Sequence, residues 1–402
     1  MKRLLLNWNK GLVMSKLEEL IQQYCPDGVE WKTLNEVVTI KRGERVTKAQ
    51  LISGGQYPVI SGGVKPLGNL DRYNREANTI TIAQYGTAGY VDWQNSHFWA
   101  NDVCYSVFPS KIVSNRFLYY VLLQNQELLY SLKTNAIPAC LPLDKLTSIE
   151  IPIPPLPVQE EIVRILDTFT ELQAELQAEL QKRLQQYNYY RDNLLTNFTP
   201  DKQVKEYSLG ELGTFTRGNG LQKKDFTETG IGCIHYGQIY TRYGAFTEKT
   251  LTYVDDELAS HLLQVEKGDL VIACTSENVE DICKCVAWLG EENICTGGHA
   301  CVFRHKQNPK YISYFFQTEY FFNQKVKYTY GTKVKDIKPE SLAKIKILLP
   351  SLEEQERIVS ILDNLYTLTT DLSQGLPAEI EKRRQQYEYY RDKLLTFKRK
   401  EA

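Results

Sequence analysis

The sequence contains no long apolar run and almost no net charge, and these two absences exclude several classes of protein. No apolar segment approaches the roughly 18 residues that a helix needs to cross a membrane. Lys and Arg number 48 and Asp and Glu 49, so the formal net charge is -1 and overall charge does not identify a nucleic-acid-binding protein. With 42% apolar residues among 402, the chain has room for two hydrophobic cores.

The beginning of the chain does not resemble an export signal. The segment MKRLLLNWNKGLV starts with positive charge, but its apolar run is too short and too interrupted for a signal peptide. We expect residues 1–13 to be a disordered extension, with translation starting at either Met1 or Met14. Nine cysteines are an odd number in a chain without an export signal, which favours reduced thiols and a cytoplasmic location.

Motifs for methyl transfer and for ATP hydrolysis are also missing. Gly331-Thr332-Lys333 is not a phosphate-binding loop, because it lacks the upstream glycine and the Ser or Thr after the lysine. There is no glycine-rich cofactor turn and no Asn-Pro-Pro-aromatic motif. The histidines form no triad; His235 and His299 each lie beside glycine, which favours base or phosphate contact over catalysis, with plain surface exposure as the alternative. We expect a non-catalytic chain that binds no cofactor.

Five cysteines lie close together in the second half of the chain. Zinc sites favour paired CxxC spacing, whereas the closest pair here is Cys283-Lys284-Cys285. Alternation along a strand would place both thiols on one face, so we favour buried free thiols over a metal site, without excluding metal. The five cysteines are Cys274, Cys283, Cys285, Cys295 and Cys301.

A stretch near residue 180 is repeated near residue 380. Gln181–Thr196 (QKRLQQYNYYRDNLLT) and Glu381–Thr396 (EKRRQQYEYYRDKLLT) are identical at 12 of 16 positions. The block QEEIVRILD from Gln159 is matched by QERIVSILD from Gln355 at 7 of 9. A period of this length, about 200 residues, is too long for a solenoid repeat. The chain is therefore predicted to hold two copies of one module, with the two-fold symmetry needed to address two related sites.

Each copy has the pattern of a strand-rich globular part followed by a long helix. Short alternating apolar runs punctuated by glycine indicate strands and turns, and helices are expected at Ser15–Tyr24 and Ser114–Leu132. This pattern predicts an α+β fold in which two globular domains are joined by two long helices. The expected divisions are residues 14–155 and 199–350 for the domains, and residues 156–198 and 351–402 for the helices.

The first helix should be long and uninterrupted. No proline or glycine occurs from Val158 to Phe198, and apolar residues recur at steps of three and four. A rod of roughly 60 Å is too long for one small domain, so we expect it to pack against an antiparallel long helix as a coiled-coil spacer. The preceding segment, residues 151–157, should not be helical because it holds four prolines. In the second copy, residues 375–377 (Gly-Leu-Pro) should break the helix, with Pro377 in the first turn of the continuation.

Positive charge is concentrated in the globular parts. Residues 323–346 carry seven lysines against two acids, and Lys32–Lys48 carries five basic residues against two acids. The helical block Gln159–Asp192 has seven acids against four bases. This separation could orient the molecule on a phosphate backbone. The alternative is an ordinary solvated lysine-rich surface.

Several of these segments resemble the specificity subunits of type I restriction-modification enzymes. The resemblance extends from Ser15 to Phe397 and is carried by IPIPPLPVQEEIVRILD and ILLPSLEEQERIVSILD at the two junctions. GNGLQKKDFTETGIGCIHYGQIYTRYG and GTKVKDIKPESLAKIKILLP add to it in the second half. The resemblance implies two target recognition domains that each read half of a split DNA sequence, with the helices as spacer. It also implies docking of methyltransferase subunits, two in number, and of restriction/translocase subunits, and these partners would use S-adenosylmethionine, ATP and Mg.

Candidate DNA contacts are polar, cationic or aromatic residues beside glycine in the expected loops. Glycine there would let the backbone approach a duplex closely, although glycine followed by a polar residue is also how strands turn. In the first domain the candidates are Lys41, Arg42, Arg45, Ser61, Gln84, Tyr85 and Thr87. In the second they are Arg217, Asn219, Lys223, Lys224, His235, Tyr236, Gln238, Ser276, Asn278, Tyr330 and Lys333.

The repeated tyrosines indicate a second kind of surface. Three rings within four residues cannot all face one neighbouring helix. A docking surface for partner subunits is one interpretation, and packing against a recognition domain is the other. The candidate docking residues are Tyr187, Tyr190, Arg191, Tyr387, Tyr390 and Arg391.

One other class of function remains open at this stage. A coiled-coil scaffold that spaces two protein-binding domains would explain the duplication, but not the basic, glycine-punctuated loops. A steep fall of DNA affinity with salt would distinguish a DNA-binding protein from such a scaffold.

Overall fold

The computed structural model describes residues 10–198, 204–370 and 375–401, and the chain divides into two compact units. Unit 1 comprises residues 1–175 and 381–402, and unit 2 comprises residues 176–380. The units do not coincide with the two sequence copies, because the last part of each helical segment belongs to the unit built by the other copy. Among the described residues, no helix is both long and apolar enough to span a membrane.

Unit 1 is built on two small sheets. An antiparallel four-stranded sheet has the order Val38–Arg42, Cys104–Pro109, Thr79–Ala83 and Val91–Gln94. A three-stranded sheet has the order Asn69–Leu70, Tyr57–Ile60 and Trp99–Ala100, and Glu30–Thr33 pairs with Glu150–Ile153. The helices and helical turns before the long helix are Lys10–Tyr24, Leu34–Val37, Lys48–Gln50, Asn115–Gln124, Gln126–Ser131 and Leu143–Thr147.

Unit 2 repeats this plan with larger sheets. Its main sheet has the order Gly213–Arg217, Ala300–His305, Leu270–Ala273, Cys285–Trp288 and Phe246–Thr247. A second sheet has the order Thr252–Val254, Ile231–Ile234, Ile294–Thr296 and Leu263–Val265. The two-stranded pairs are Thr275–Ser276 with Lys335–Asp336 and Lys205–Ser208 with Lys346–Leu349. The shorter helices and helical turns are Leu209–Leu212, Lys223–Asp225, Tyr236–Thr241, Asp256–His261, Pro309–Phe315, Glu319–Lys325, Val326–Tyr328 and Pro339–Leu342.

The first long helix spans Leu156–Thr196 without interruption, as predicted. It starts at the expected residue 156, and it corrects the expectation that residues 151–157 are not helical, since Leu156 and Pro157 form its start; proline is tolerated in the first turn, where no intrahelical N–H bond is lost. In the second copy the described helical segments are Leu352–Thr370 and Gly375–Leu394, and residues 371–374 lie outside the described residues. Gly375, Leu376 and Pro377, which were predicted to break the helix, form the first turn of the second segment, so the place expected for Pro377 is found and the interruption itself stays a prediction.

Three local predictions are wrong. The expected helix Ser114–Leu132 is two helices that meet at Asn125. The first helix begins at Lys10, inside the segment predicted to be disordered, while residues 1–9 lie outside the described residues. Cys283 is not in a strand, because its φ of 68° is a left-handed conformation that a strand cannot contain. The thiols themselves are buried as predicted: all five cysteines of the cluster are free and buried.

Each core is completed by a helix end from the other sequence copy. In unit 1 the rings of Tyr387 and Tyr390 pack against Phe169, with ring centroids 6.4 and 5.6 Å away. In unit 2 the ring of Tyr187 lies 6.1 Å from that of Tyr366. Leu394 and Leu395 belong to the core of unit 1, and Leu195 belongs to the core of unit 2. The repeated QQYxYYRDxLLT segment thus has a structural role in both units.

The repeated QExIVxILD block is a junction between domain and helix. Gln159 is fully buried; its Oε1 accepts from Ser114 N at 2.7 Å, and its Nε2 donates to Pro154 O at 2.7 Å and Ile112 O at 2.9 Å. Gln355 repeats the arrangement, accepting from Asn308 N at 3.1 Å. These buried amides satisfy backbone groups that would otherwise have no partner, so the motif fixes the direction in which each helix leaves its domain.

The last residue of the block, an aspartate, also joins the long helix to its domain. Asp167 accepts from Tyr120 Oη at 2.5 Å and from Arg116 Nε at 2.8 Å. In the second copy Asp363 accepts from Tyr314 Oη and from Lys310 Nζ, both at 2.7 Å. The junction residues therefore stabilise the framework that carries the loops.

Candidate DNA interface

The candidate loops of unit 1 meet around a buried asparagine, Asn101. Its Oδ1 accepts from Val46 N at 2.9 Å, and its Nδ2 donates to Ser61 Oγ at 3.3 Å. Thr87 N donates to Gly62 O at 2.8 Å, which joins the Ser61 loop to the Tyr85 loop. Three loops that are 15 to 40 residues apart in sequence are thus held together.

Glycine is required in these loops because of contacts inside the protein. A Cβ on Gly43 would lie 2.1 Å from Ala100 O, and one on Gly62 would lie 2.3 Å from Tyr85 O. Gly86 has a φ of 72°, which other residues rarely adopt. We predicted that glycine would let the backbone approach DNA closely. In the structure, these glycines let the loops of the protein approach one another closely.

The cations of unit 1 lie on the surface. Lys41, Arg42 and Arg45 are exposed, and Ser61, Tyr85 and Thr87 are half-buried. The guanidinium of Arg42 lies 5.8 Å from the ring centre of Tyr105.

The structure does not support the prediction that Gln84 contacts DNA. Its side chain is only 4% exposed, because its backbone is fixed on both sides by Val103 and Leu141 within the sheet region. It does not lie on the surface where a base edge could be contacted.

The candidate loops of unit 2 also converge, around a bidentate ion pair. Arg217 Nη1 and Nη2 donate to the two carboxylate oxygens of Asp336 at 2.9 and 2.6 Å, and Arg217 Nε donates to Gly298 O at 3.3 Å. Thr275 Oγ1 lies 3.1 Å from His299 Nδ1. The loops that begin at residues 217, 275, 297 and 330 are therefore in mutual contact.

His235 caps a short helix beside this group of loops. It is 6% exposed, and its Nδ1 accepts from Gly237 N at 3.2 Å, which leaves Nε2 as the protonated nitrogen. Burial, reinforced by Lys223 and His299, lowers the pKa of His235, so the ring is neutral at pH 7. The burial excludes the alternative of plain surface exposure, and contact of His235 with a base or phosphate stays a prediction.

A cavity of about 540 Å³ adjoins His235. Its lining is polar and cationic, with Lys223, Gln238 and Arg242 beside the ring of Phe226. Such a lining offers donors and an apolar face, the combination that contacts base edges and phosphates.

The remaining candidates of unit 2 differ in exposure. Asn219, Lys223, Lys224, Tyr330 and Lys333 are exposed. Arg217, Tyr236, Gln238, Ser276 and Asn278 are half-buried. Asn278 Nδ2 donates to Asp281 Oδ2 at 2.8 Å, so part of its hydrogen-bonding capacity is used within the loop.

The candidate docking residues are divided by burial. Tyr187, Arg191, Tyr387 and Tyr390 are each less than a tenth exposed, which is what packing within the units requires. Arg391 is half-buried, and its guanidinium lies 5.9 Å from the ring centre of Tyr387.

Exposed rings also occur in the repeated segments. Tyr190 is 49% exposed, Tyr189 65% and Tyr389 62%. These three rings are available to a partner, and docking by this region stays a prediction.

Sequence reasoning missed several residues that the fold brings to the loops. Nothing in the local sequence pointed to Asn101, and Asp336 lies in the GTKVKDIKPE segment, where it was counted only as one acid among lysines. Arg75 donates through Nη2 to Arg42 O at 2.6 Å and through Nε to Ser106 Oγ at 3.0 Å. Ile137 is fully exposed on the loop that joins Tyr85 through a bridge at Cys140.

The described residues contain no group of three His, Cys, Asp or Glu side chains arranged to hold a metal ion. The cysteine cluster consists of buried thiols, and burial raises the pKa of Cys285 to about 12. Burial therefore favours the protonated thiol over the thiolate at neutral pH.

Comparison with known proteins assigns the family. The family model described as the type I restriction modification DNA specificity domain matches residues 26–186 and 201–382. A putative type I restriction enzyme specificity subunit of Haemophilus influenzae is 33% identical over 396 residues, which are 92% of this chain and 96% of that protein. The specificity subunit of the Escherichia coli type I restriction enzyme EcoR124I/EcoR124II is 33% identical over 267 residues, 63% of this chain and 64% of the relative.

Solved structures have the same fold. The S subunit of a type I restriction-modification system from M. genitalium gives a TM-score of 0.55 at 18% identity, over 91% of this chain and 95% of that one. A chain from a type I restriction-modification system solved to explain complex assembly and conformational transition gives 0.54 at 15% identity, over 92% and 98%. Because the family model matches most of both halves and a 33% identical relative aligns over nearly its full length, the chain belongs to the family of type I restriction-modification DNA specificity subunits.

Proposed function

We propose that this specificity subunit reads a bipartite DNA target, with one half-site contacted by the loops of each unit. The observation that carries the proposal is the convergence, in both units, of loops that are distant in sequence and rich in exposed cations and amides. Cations position a protein on the phosphate backbone, and amides and hydroxyls contact base edges. A protein-spacing scaffold, the alternative left open by the sequence, has no support in the family assignment.

The two groups of loops differ in chemistry. Those of unit 1 surround a neutral amide, Asn101, whereas those of unit 2 surround the ion pair of Arg217 and Asp336. Because unlike loops contact unlike bases, the two half-sites should differ in sequence. The proposal therefore includes independent reading by each unit.

The chain is proposed to act as a non-catalytic subunit. Its partners would be methyltransferase subunits, two in number, and restriction/translocase subunits, docked in part through Tyr190 and the other exposed rings of the repeated segments. S-adenosylmethionine, ATP and Mg would be bound by those partners in the cytoplasm. Incubating the purified chain with duplex, S-adenosylmethionine, ATP and magnesium should leave the DNA unmodified, and methyl incorporation would contradict this assignment.

Exchange of one domain tests the reading of the target. Residues 204–345 are replaced by the equivalent part of a relative, and the methylated sequence is mapped with partner subunits present. Only one half of the target should change, while the other half is retained. A simultaneous change of both halves would contradict independent reading.

A further inference from the structure

A lysine-bearing hairpin, Tyr330–Asp336, projects from unit 2. Its base is closed by two backbone bonds, Tyr330 N to Asp336 O at 3.0 Å and Asp336 N to Tyr330 O at 2.9 Å. Residues 331–334 are all exposed. Gly331 has a φ of 98°, and a Cβ there would lie 2.0 Å from Val334 O, so the tight turn requires glycine. The turn is built to present its tip to solvent.

The cations of this region have no acidic partner. Lys333 is exposed at the tip, Lys335 is half-buried, and Lys327 and Lys338 are exposed on the flanking segments. Within the described part of the chain, none of the four is within ion-pair distance of an Asp or Glu. Lys335 Nζ donates to Gly331 O at 2.8 Å within the turn, and Lys338 Nζ lies 5.9 Å from the ring centre of Tyr330, so neither contact neutralises the charge. Four cations without a carboxylate partner, on the hairpin and its flanking segments, form a site for a polyanion.

The one acid of the hairpin is neutralised from outside it. Asp336 accepts both Arg217 bonds described above, and Tyr330 Oη donates to the same carboxylate at 3.0 Å. Arg217 is the last residue of a strand in the five-stranded sheet, paired with Cys301. The ion pair therefore connects the base of the hairpin to the main sheet of the unit.

The geometry also limits what Arg217 can do. Each of its three side-chain nitrogens already donates one hydrogen bond, two to Asp336 and one to Gly298 O. Moving the guanidinium to DNA would leave the carboxylate of Asp336 unpaired beside phosphates, which repel it. An arginine in this arrangement orients other groups.

We propose that the hairpin Tyr330–Asp336 binds backbone phosphates next to the half-site of unit 2, and that Arg217 and Asp336 are positioning residues that set its direction without contacting DNA. The inference rests on the proposed DNA-reading function and deepens it. It assigns the ligand of Lys333 and Lys335 as phosphate and separates these lysines from Arg217, which sequence reasoning had placed in the same class of contacts.

Replacing Asp336 distinguishes a purely electrostatic role from a positioning role, because the two roles predict opposite changes in DNA affinity. If Asp336 acts only through its charge, Asp336→Ala removes an acid and should tighten DNA binding. If it positions the hairpin, the variant should bind more weakly, about 10-fold, with a smaller slope of log K against log salt. Lys333→Ala/Lys335→Ala, at one exposed and one half-buried position, should lower that slope by about 1.8, since each phosphate contact contributes roughly 0.9.

The ion pair can also be restored with its two residues exchanged. The double variant Arg217→Asp/Asp336→Arg restores the pair without restoring either residue, so it should recover most of the affinity and slope lost in Asp336→Ala. Glu291→Ala removes an exposed acid of unit 2 that pairs only with Lys267 and serves as the charge control, with unchanged slope. Thermal unfolding of each variant shows that the unit is folded.

The outcomes distinguish the two levels of the proposal. Binding of the unaltered full chain to target duplex without any salt dependence would overturn both the DNA-reading function and the hairpin. Salt-dependent binding by the unaltered chain, with tighter binding by Asp336→Ala and no effect of the lysine pair, would overturn the hairpin alone. Weaker binding by Asp336→Ala with recovery in the reversed pair supports it.

Discussion

Equivalent positions of the two copies can hold the same residue in different surroundings. Tyr187 and Tyr387 occupy the same place in the repeated segment and are both buried. Tyr187 Oη donates to Gln317 Oε1 at 3.3 Å, whereas Tyr387 Oη is buried without a hydrogen-bond partner among the described residues. A buried hydroxyl with no partner costs free energy, so the same residue stabilises one unit more than the other.

Replacing these two tyrosines by phenylalanine should have opposite effects. Tyr387→Phe removes a buried hydroxyl that has no hydrogen-bond partner among the described residues. We therefore expect the free energy of unfolding of unit 1 to rise by about 0.5 to 1 kcal/mol. Tyr187→Phe removes a weak bond and should lower that of unit 2 by about the same amount. Denaturant unfolding monitored separately for each unit by hydrogen exchange measures both; equal losses in the two variants would contradict the reasoning.

A pH dependence follows from His305. Burial lowers its pKa to about 4, and its Nε2 is shielded with no partner among the described residues. The unfolded chain takes up a proton near its ordinary pKa of about 6.5, while the folded chain does so only near the lower value, so stability falls as pH drops between them. From pH 7.5 to 5, unit 2 should lose about 2 kcal/mol through this residue.

The measurement compares His305→Leu with the unaltered chain. The variant should lack this acid-dependent loss, so its unfolding midpoint should decline less between pH 7.5 and 5. His261→Leu, at an exposed position, is the control and should retain the full decline. A parallel decline in His305→Leu and the unaltered chain would exclude His305 as the source.

At the scale of elements, the junction block explains why a short motif is repeated. Gln159 and Gln355 each accept one backbone N–H and donate to one or more oxygens from a buried position. Periodicity predicts that this block starts a helix, and the structure adds that its glutamine joins the helix to the domain. The stretch between this block and the repeated segment that begins at Gln181 has no such residue, and it is less alike between the copies.

Gln159→Leu should therefore be costly. It leaves one backbone N–H and two carbonyl oxygens buried without partners, and we expect a loss of about 2 to 4 kcal/mol in the stability of unit 1. Gln177→Leu, at an exposed position of the same helix, should change stability by less than about 0.5 kcal/mol. Thermal or denaturant unfolding decides; equal effects of the two substitutions would show that the buried amide is not the cause.

For the whole molecule, the compact units cut across the sequence repeat. Leu195 in the first copy belongs to the core of unit 2, and Leu395 in the second copy belongs to the core of unit 1. Unit 1 therefore depends on a leucine that follows Thr87 of its candidate loops by 308 residues (395 − 87), whereas the leucine that unit 2 takes from the first copy precedes Arg217 by only 22 (217 − 195). Neither sequence copy contains a complete core.

A matched pair of substitutions tests this exchange. Leu195→Ala should reduce hydrogen-exchange protection in unit 2 and Leu395→Ala in unit 1, each by about 3 kcal/mol, because a buried leucine loses contacts and leaves a cavity. The control is built in, since each variant should leave the other unit unchanged. Loss of protection in residues 14–155 caused by Leu195→Ala would contradict the assignment of cores.

The sequence determined the features that depend on local periodicity and on repetition. The uninterrupted first helix and the place of Pro377 in the first turn of Gly375–Leu394 follow from local patterns, because a helical period needs only a few consecutive residues, and the two copies follow from the repetition itself. The junction motifs also pointed to the family. Most of the exposed cations in the candidate loops lie where glycine punctuation predicted turns.

Only the tertiary structure decided what those loops and motifs contact. The burial of Gln84 and His235, the pairing of Arg217 with a carboxylate 119 residues away and the role of Asn101 depend on long-range strand pairing that no local pattern contains. The same holds for the exchange of helix ends between units, because identical segments in both copies give no indication of which core each one completes. Contact across large sequence separation is set by packing, and packing is a property of the folded chain as a whole.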